Sequence, residues 1–115
     1  MLLFVYGSLL AGEMHEAQLA GARCLGDART EPAYTLVDLG DYPALVDEGA
    51  TAVAGELYQV DEETLRRLDA FEGHPDEYRR APVRLVGPAR AEAYFYPRGR
   101  AAGLPTIAGG DWRRR

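Results

Sequence analysis

The chain has 115 residues, 47% of them hydrophobic, and a formal net charge of −5. That length fits one domain, 1–115, with its own core, and the composition excludes a disordered chain. The acidic balance argues against nucleic acid as a partner, and the complete lack of lysine removes both a Schiff-base lysine and a phosphate-loop lysine.

In chain order, the apolar run Leu2-Leu3-Phe4-Val5 predicts a buried strand that stops at Tyr6-Gly7-Ser8-Leu9. Gly7 permits a backbone conformation that a Cβ would resist. The N–H groups of Gly7, Ser8 and Leu9 can then point into one small space, which suits an anion. Read alone, this is also an ordinary strand-ending turn. The spacing from Gly7 to Gly12 has the outer frame of a phosphate loop but lacks the Lys-Ser/Thr that must follow. Leu9 to Gly12 turns, and Glu13 to Leu19 has weak helical character.

A second strand region is expected near residues 28–34, and Tyr34 to Leu39 reads as a strand before the turn at Gly40-Asp41. Tyr42 to Val46 is a short extended piece, with Pro43 implying an edge or a bend, and Glu48-Gly49 turns again. Thr51 to Val60 is the longest strand candidate, and Gly55 in its middle implies a bulge or a close backbone approach. Asp61 is a good N-cap, Glu62 and Glu63 suit the helix dipole, and Leu65, Leu68 and Phe71 or Glu72 share a face. With Gly73 as C-cap and Pro75 as a stop, the helix spans about Glu62 to Glu72. Two more strands, Tyr78 to Val86 and Ala91 to Tyr96, flank Gly87-Pro88, and residues 97–110 read as irregular. Many short strands with one clear helix indicate an α+β fold around a small, strongly curved sheet or barrel.

Cys24 is the only cysteine, so neither an internal disulfide nor a thiolate zinc site can form, and it reads as a small buried hydrophobe. His15 and His74 lack a metal-ligand spacing, and no metal or organic cofactor is expected. Trp112-Arg113-Arg114-Arg115 reads as a solvated terminus. The start is too short and uncharged for a signal peptide and no stretch spans a membrane, so a cytoplasmic location is expected, with no membrane partner. Without a heptad pattern or a long apolar face, a monomer or weak homodimer is the expected state.

Taken together, Tyr6-Gly7-Ser8-Leu9, Asp38-Leu39-Gly40-Asp41-Tyr42-Pro43-Ala44, Gly55-Glu56-Leu57-Tyr58, Leu68-Asp69-Ala70-Phe71-Glu72-Gly73, Tyr78-Arg79-Arg80, Tyr94-Phe95-Tyr96 and Gly110-Asp111-Trp112 form an ordered set. That set resembles the gamma-glutamylcyclotransferase-like, or AIG2-like, superfamily over nearly the whole chain, in its short form. The resemblance implies a small β-barrel with flanking short helices. It also implies release of 5-oxoproline from a small gamma-glutamyl amine or amino acid, with Glu72 as the catalytic carboxylate. The loop Tyr6, Gly7, Ser8 and Leu9 would hold the gamma-glutamyl portion.

Such a substrate carries its own nucleophile, since its α-amine can close on its own side-chain carbonyl. One carboxylate can then take the ammonium proton and return it to the leaving nitrogen, and partial burial would raise its pKa toward that task. Loop amides or a tyrosine hydroxyl such as that of Tyr78 are candidate oxyanion donors. Blander readings stand beside these. Glu72 is otherwise a solvated helix end, Asp69 a solvated face or turn partner, and Arg80 the partner of a nearby acid. Tyr42-Pro43, Tyr94 and Tyr96 are otherwise packing residues or a tyrosine rim. His74 beside Glu72 invites a dyad. The rival classes are a non-enzymatic module that binds a small carboxylate ligand in the same pocket, and a related lyase or transferase acting on another acyl amine.

Overall fold

The computed structural model describes residues 1–10, 12, 13 and 15–115. Seven strands, β1 (Leu2–Val5), β2 (Arg23–Arg29), β3 (Tyr34–Asp38), β4 (Pro43–Thr51), β5 (Ala54–Gln59), β6 (Arg79–Val83) and β7 (Ala91–Phe95), form one mixed sheet in the order β2-β5-β1-β7-β4-β3, with β6 added on β7. Helix α1 (Glu62–Glu72) and the short α2 (Arg98–Ala101) pack around it, with 3-10 turns at Glu16–Leu19 and Trp112–Arg114. The fold is α+β, as the sequence predicts.

The barrel does not close. β6 pairs with β7 in antiparallel register from Arg79 opposite Phe95 to Val83 opposite Ala91. β1 and β4 both run parallel to β7, Leu3 opposite Glu92 and Leu45 opposite Phe95. A strand has two hydrogen-bonding edges, so β1 and β4 share the remaining edge of β7 in succession. The sheet therefore forks where β1 ends and β4 begins, and it curves without completing a cylinder. That fork positions the candidate site.

Both faces of β1 are covered. Leu3 and Val5 belong to one apolar cluster, with Leu68, Ala44 and Tyr94, while Phe4 and Tyr6 belong to the other, with Leu45, Phe95 and Trp112. The alternation follows from the two-residue period of a strand. Burial on both sides explains why the sequence reads as an unbroken apolar run rather than as alternating.

Helix α1 has the predicted bounds. Asp61 accepts a hydrogen bond from the Thr64 N–H at 2.7 Å, and Gly73, in a left-handed conformation, closes the C-terminus. Leu68 is fully buried, whereas Phe71 stays 39% exposed.

Several expectations need correction. β2 begins at Arg23 rather than near residue 28; it is a mostly exposed end strand whose pattern carries no apolar period to read. β4, not the stretch after Thr51, is the longest strand, because it continues through Glu48-Gly49 as a bulge. Thr35 pairs with Val46 while Tyr34 pairs with Thr51, so residues 47–50 loop out of register, and the Thr35 hydroxyl donates to the Glu48 carbonyl at 2.7 Å. Pro43 is the first residue of β4, where a missing N–H is tolerated. Gly55 keeps register with Ala28, and a Cβ there would lie 2.1 Å from the Val5 carbonyl oxygen. It is a close approach, not a bulge.

Cys24 is exposed. The C-terminus is docked: Trp112 is buried, its indole N–H donates to Glu13 Oε1 at 3.0 Å, and the Arg115 guanidinium lies 3.4 Å above the ring. The expected weak helix over 13–19 is a 3-10 turn at Glu16–Leu19, and the parts of the 9–12 turn and of that segment at 11 and 14 lie outside the described residues. Among the described residues no helix is long and apolar enough to cross a membrane.

Candidate active site

A cavity of about 260 Å³ opens at the fork in the sheet. Its floor comes from the end of β1 and the loop that follows, Val5 to Leu9. One wall is Tyr42 and Pro43 at the start of β4. The other is the end of α1 with the segment after it, Phe71, Glu72, Glu77 and Tyr78, and Phe4 of β1, His15 and Tyr94 of β7 also line the cavity. Glu72, Tyr6, Gly7, Ser8, Leu9 and Tyr78, all singled out in the sequence, therefore converge on one space.

The loop is shaped by a steric fact. A Cβ on Gly7 would lie 2.5 Å from Pro43 Cγ and 2.6 Å from Pro43 Cδ. Gly7 is not among the glycines with positive φ, so the expected reason for a glycine is wrong. The position needs space, not a left-handed backbone. The Leu10 N–H donates to the Gly7 carbonyl at 3.0 Å and the His15 N–H to the Ser8 carbonyl at 2.7 Å. These bonds engage the loop's carbonyls and leave its amides: the N–H groups of Gly7, Ser8 and Leu9 meet no acceptor among the described residues. Three successive amides at a cavity floor form a partial positive charge suited to a carboxylate or an oxyanion.

Tyr6 contributes differently from the other loop residues. Its hydroxyl is buried and donates to the Tyr94 carbonyl at 2.7 Å, fixing the end of β1 to β7. Burial raises its pKa well above the ordinary tyrosine value, as it does for Tyr78 and Tyr94, so all three phenols stay protonated at neutral pH. The Tyr78 ring packs against Tyr96 with centroids 5.4 Å apart.

Among the described residues Glu72 is the one carboxylate whose pKa moves strongly upward. Burial in the cavity wall, and then the charge of Glu77, push it up to about 7. Its position follows from the helix pitch, since Leu68 anchors the buried face and Glu72 lies one turn further on, at the lip of the cavity. No cation pairs with Glu72 among the described residues, which leaves it able to gain and lose a proton near neutrality.

His74 forms no dyad with Glu72; its Nδ1 accepts the backbone N–H of Arg80 at 3.0 Å. Arg80 is paired with acids, as expected, namely Asp69 and Glu92. Tyr42, Pro43 and Tyr94 belong to the cavity lining rather than to packing alone. Sequence reasoning missed Glu77, His15 and Asp69. The spacing of Asp69 and Glu72 on one helix face was the available signal for the last of these. Among the described residues no group of three or more His, Cys, Asp or Glu side chains could hold a metal ion.

Comparison with known proteins shows the family to which this fold belongs. Residues 3–114 match the family described as gamma-glutamyl cyclotransferase, AIG2-like. The gamma-glutamylcyclotransferase family protein YtfP of Escherichia coli is 37% identical over 113 residues, covering 97% of this chain and 96% of that one. The solution structure of YtfP from the same organism superposes with a TM-score of 0.77 at 37% identity, covering 100% of both chains. The crystal structure of an AIG2-like protein from Mus musculus gives a TM-score of 0.77 at 28% identity, covering 93% of this chain and 85% of that one.

Proposed function

This chain belongs to the gamma-glutamyl cyclotransferase, AIG2-like family, and on that premise we propose that it releases 5-oxoproline from a small gamma-glutamyl amine or amino acid. The observation that carries the reading is Glu72, a carboxylate with a pKa raised to about 7 that lines the same cavity as Gly7, Ser8 and Leu9, whose N–H groups meet no acceptor among the described residues.

In this mechanism the substrate α-carboxylate rests on the N–H groups of Gly7, Ser8 and Leu9. Glu72 takes a proton from the α-ammonium. The freed nitrogen attacks the side-chain carbonyl carbon, and a new C–N bond closes the five-membered ring. Hydrogen-bond donors, the Tyr78 hydroxyl among them, stabilise the tetrahedral oxyanion. Glu72 then delivers that proton to the leaving nitrogen as the oxyanion reforms the carbonyl and the original amide C–N bond breaks; the ring nitrogen gives up its second extra proton through the re-ionised Glu72 to the released amine, and 5-oxoproline and an ammonium product depart.

The magnitudes favour this division of labour. An α-ammonium titrates near ~8 and an unperturbed glutamate near ~4.3, a mismatch of roughly 5 kcal/mol. With Glu72 at about 7 the gap falls to about 1.4 kcal/mol. Because nucleophile and carbonyl belong to one molecule, much of the entropic barrier is already absent. The site needs to fold the substrate and relay protons from the attacking nitrogen to the leaving one.

The test pairs binding with turnover. 5-Oxoproline and glutamate are titrated into the wild type and Glu72→Gln, and release of 5-oxoproline is followed from a panel of gamma-glutamyl amines, gamma-glutamyl dipeptides and glutathione. Turnover that is lost in Glu72→Gln, with ligand binding kept, supports the enzyme. Binding in both forms with turnover in neither identifies a binding module.

A further inference from the structure

Asp69 stands one helical turn before Glu72 on α1, and the two carboxylates have opposite surroundings. Asp69 Oδ1 and Oδ2 accept from Arg80 Nε at 2.9 Å and Nη2 at 3.1 Å, the two-pronged geometry that a guanidinium makes with a carboxylate. The Tyr94 hydroxyl donates to Asp69 Oδ1 at 2.7 Å. Arg80 also binds Glu92 of β7 through Nη1, and Tyr94 in turn receives the Tyr6 hydroxyl on its carbonyl. One chain of hydrogen bonds therefore runs from the last turn of α1 through β6 and β7 to the end of β1. It joins the element that carries Glu72 to the element that carries the loop amides.

We propose that Asp69 is the positioning residue of this site: clamped by Arg80 and Tyr94, it sets where the last turn of α1 holds Glu72 over the cavity. The inference rests on the reading of Glu72 as the proton carrier. Burial acts to push the Asp69 carboxyl up, but the bonds from Arg80 and Tyr94 outweigh it and hold the group below the ordinary carboxylate range. It stays an anion and takes no part in proton transfer. Among the described residues Glu72 has no such partner. The titratable groups that share its cavity are Glu77 and Tyr78 from the segment after α1, Tyr6 from the end of β1, Tyr42 from the segment before β4, Tyr94 from β7 and His15 from the segment before the first 3-10 turn. One helix face thus carries a fixed anion and a mobile-proton acid, separated by environment alone.

The experiment uses Asp69→Asn and Arg80→Lys. The second keeps every charge and removes the fork, so it carries the test if Asp69→Asn does not fold. Two readouts are taken on folded protein: the carboxyl titration of Glu72 by carbon NMR without ligand, and kcat and KM for 5-oxoproline release. The clamp predicts a Glu72 midpoint moved from about 7 toward the ordinary glutamate value as the helix end opens to water. It also predicts a kcat lowered about tenfold or more with KM nearly unchanged. A midpoint and kcat that match wild type in the folded Arg80→Lys variant would overturn it. If the wild type itself turns nothing over, the proposed function fails, while the ligand-free titration still decides the role of Asp69.

Discussion

Gly7 and Pro43 meet where β1 ends and β4 begins, so closely that a methyl group on Gly7 would lie 2.5 Å from Pro43 Cγ. This contact joins the two arms of the forked sheet at the cavity that Gly7, Ser8, Leu9 and Pro43 line together. Gly7→Ala must push the loop or β4 aside. The expected result is a loss of about 1–3 kcal/mol in stability together with weakened 5-oxoproline binding. Urea melts and calorimetric titration check both.

Glu72 links function to a stability cost. Its folded pKa of about 7 lies above the ordinary value of 4.5, so between those values the folded state binds more protons than the unfolded state and stability falls as pH rises. The full contribution is present below 4.5 and lost above 7, a difference of about 3 kcal/mol. Glu72→Gln keeps the shape and cannot ionise. It should therefore raise the melting temperature relative to wild type at pH 8 and leave the two alike at pH 4.5.

The same titration shapes the rate. Glu72 must be ionised to accept the ammonium proton, so kcat/KM for 5-oxoproline release should climb as pH passes through about 7. Glu77→Gln removes the second cause of the raised pKa. The rising limb should then shift to lower pH, as a pH–rate profile of the two proteins will reveal.

Trp112 closes the fold from its far end. Trp112→Ala opens a hole beside Phe4, Tyr6 and Phe95 in the shared cluster and should cost about 3–5 kcal/mol. A thermal melt indistinguishable from wild type would mean that the docked tail contributes nothing.

Much of this was legible because local chemistry is legible. Asp61, Leu68 and Gly73 mark α1 through capping and helical period, and both bounds of the helix follow from them. The doubly buried β1 announces itself as an apolar run. The strands that escaped are those whose pairing is set at long range. β2 is a mostly exposed end strand with no period to read, and the bulge at residues 47–50 depends on Thr35 across the ladder rather than on Glu48-Gly49 itself. In the site, Glu72 and the Tyr6–Leu9 loop stood out as adjacent residues in recognisable patterns. Asp69 did not, because its meaning comes from Arg80 and Tyr94 on two other elements. The glycine at position 7 was recognised, but its reason was hidden: the neighbour that forbids a side chain is Pro43, far along the chain.

The most direct measurement of the central claim is the rate of 5-oxoproline release by wild type and by Glu72→Gln, side by side, with the best gamma-glutamyl compound of the panel at saturation. The account predicts turnover in the wild type and a fall of about 10²-fold or more in the variant, with the variant still folded and still binding 5-oxoproline. Equal rates in the two proteins would contradict it.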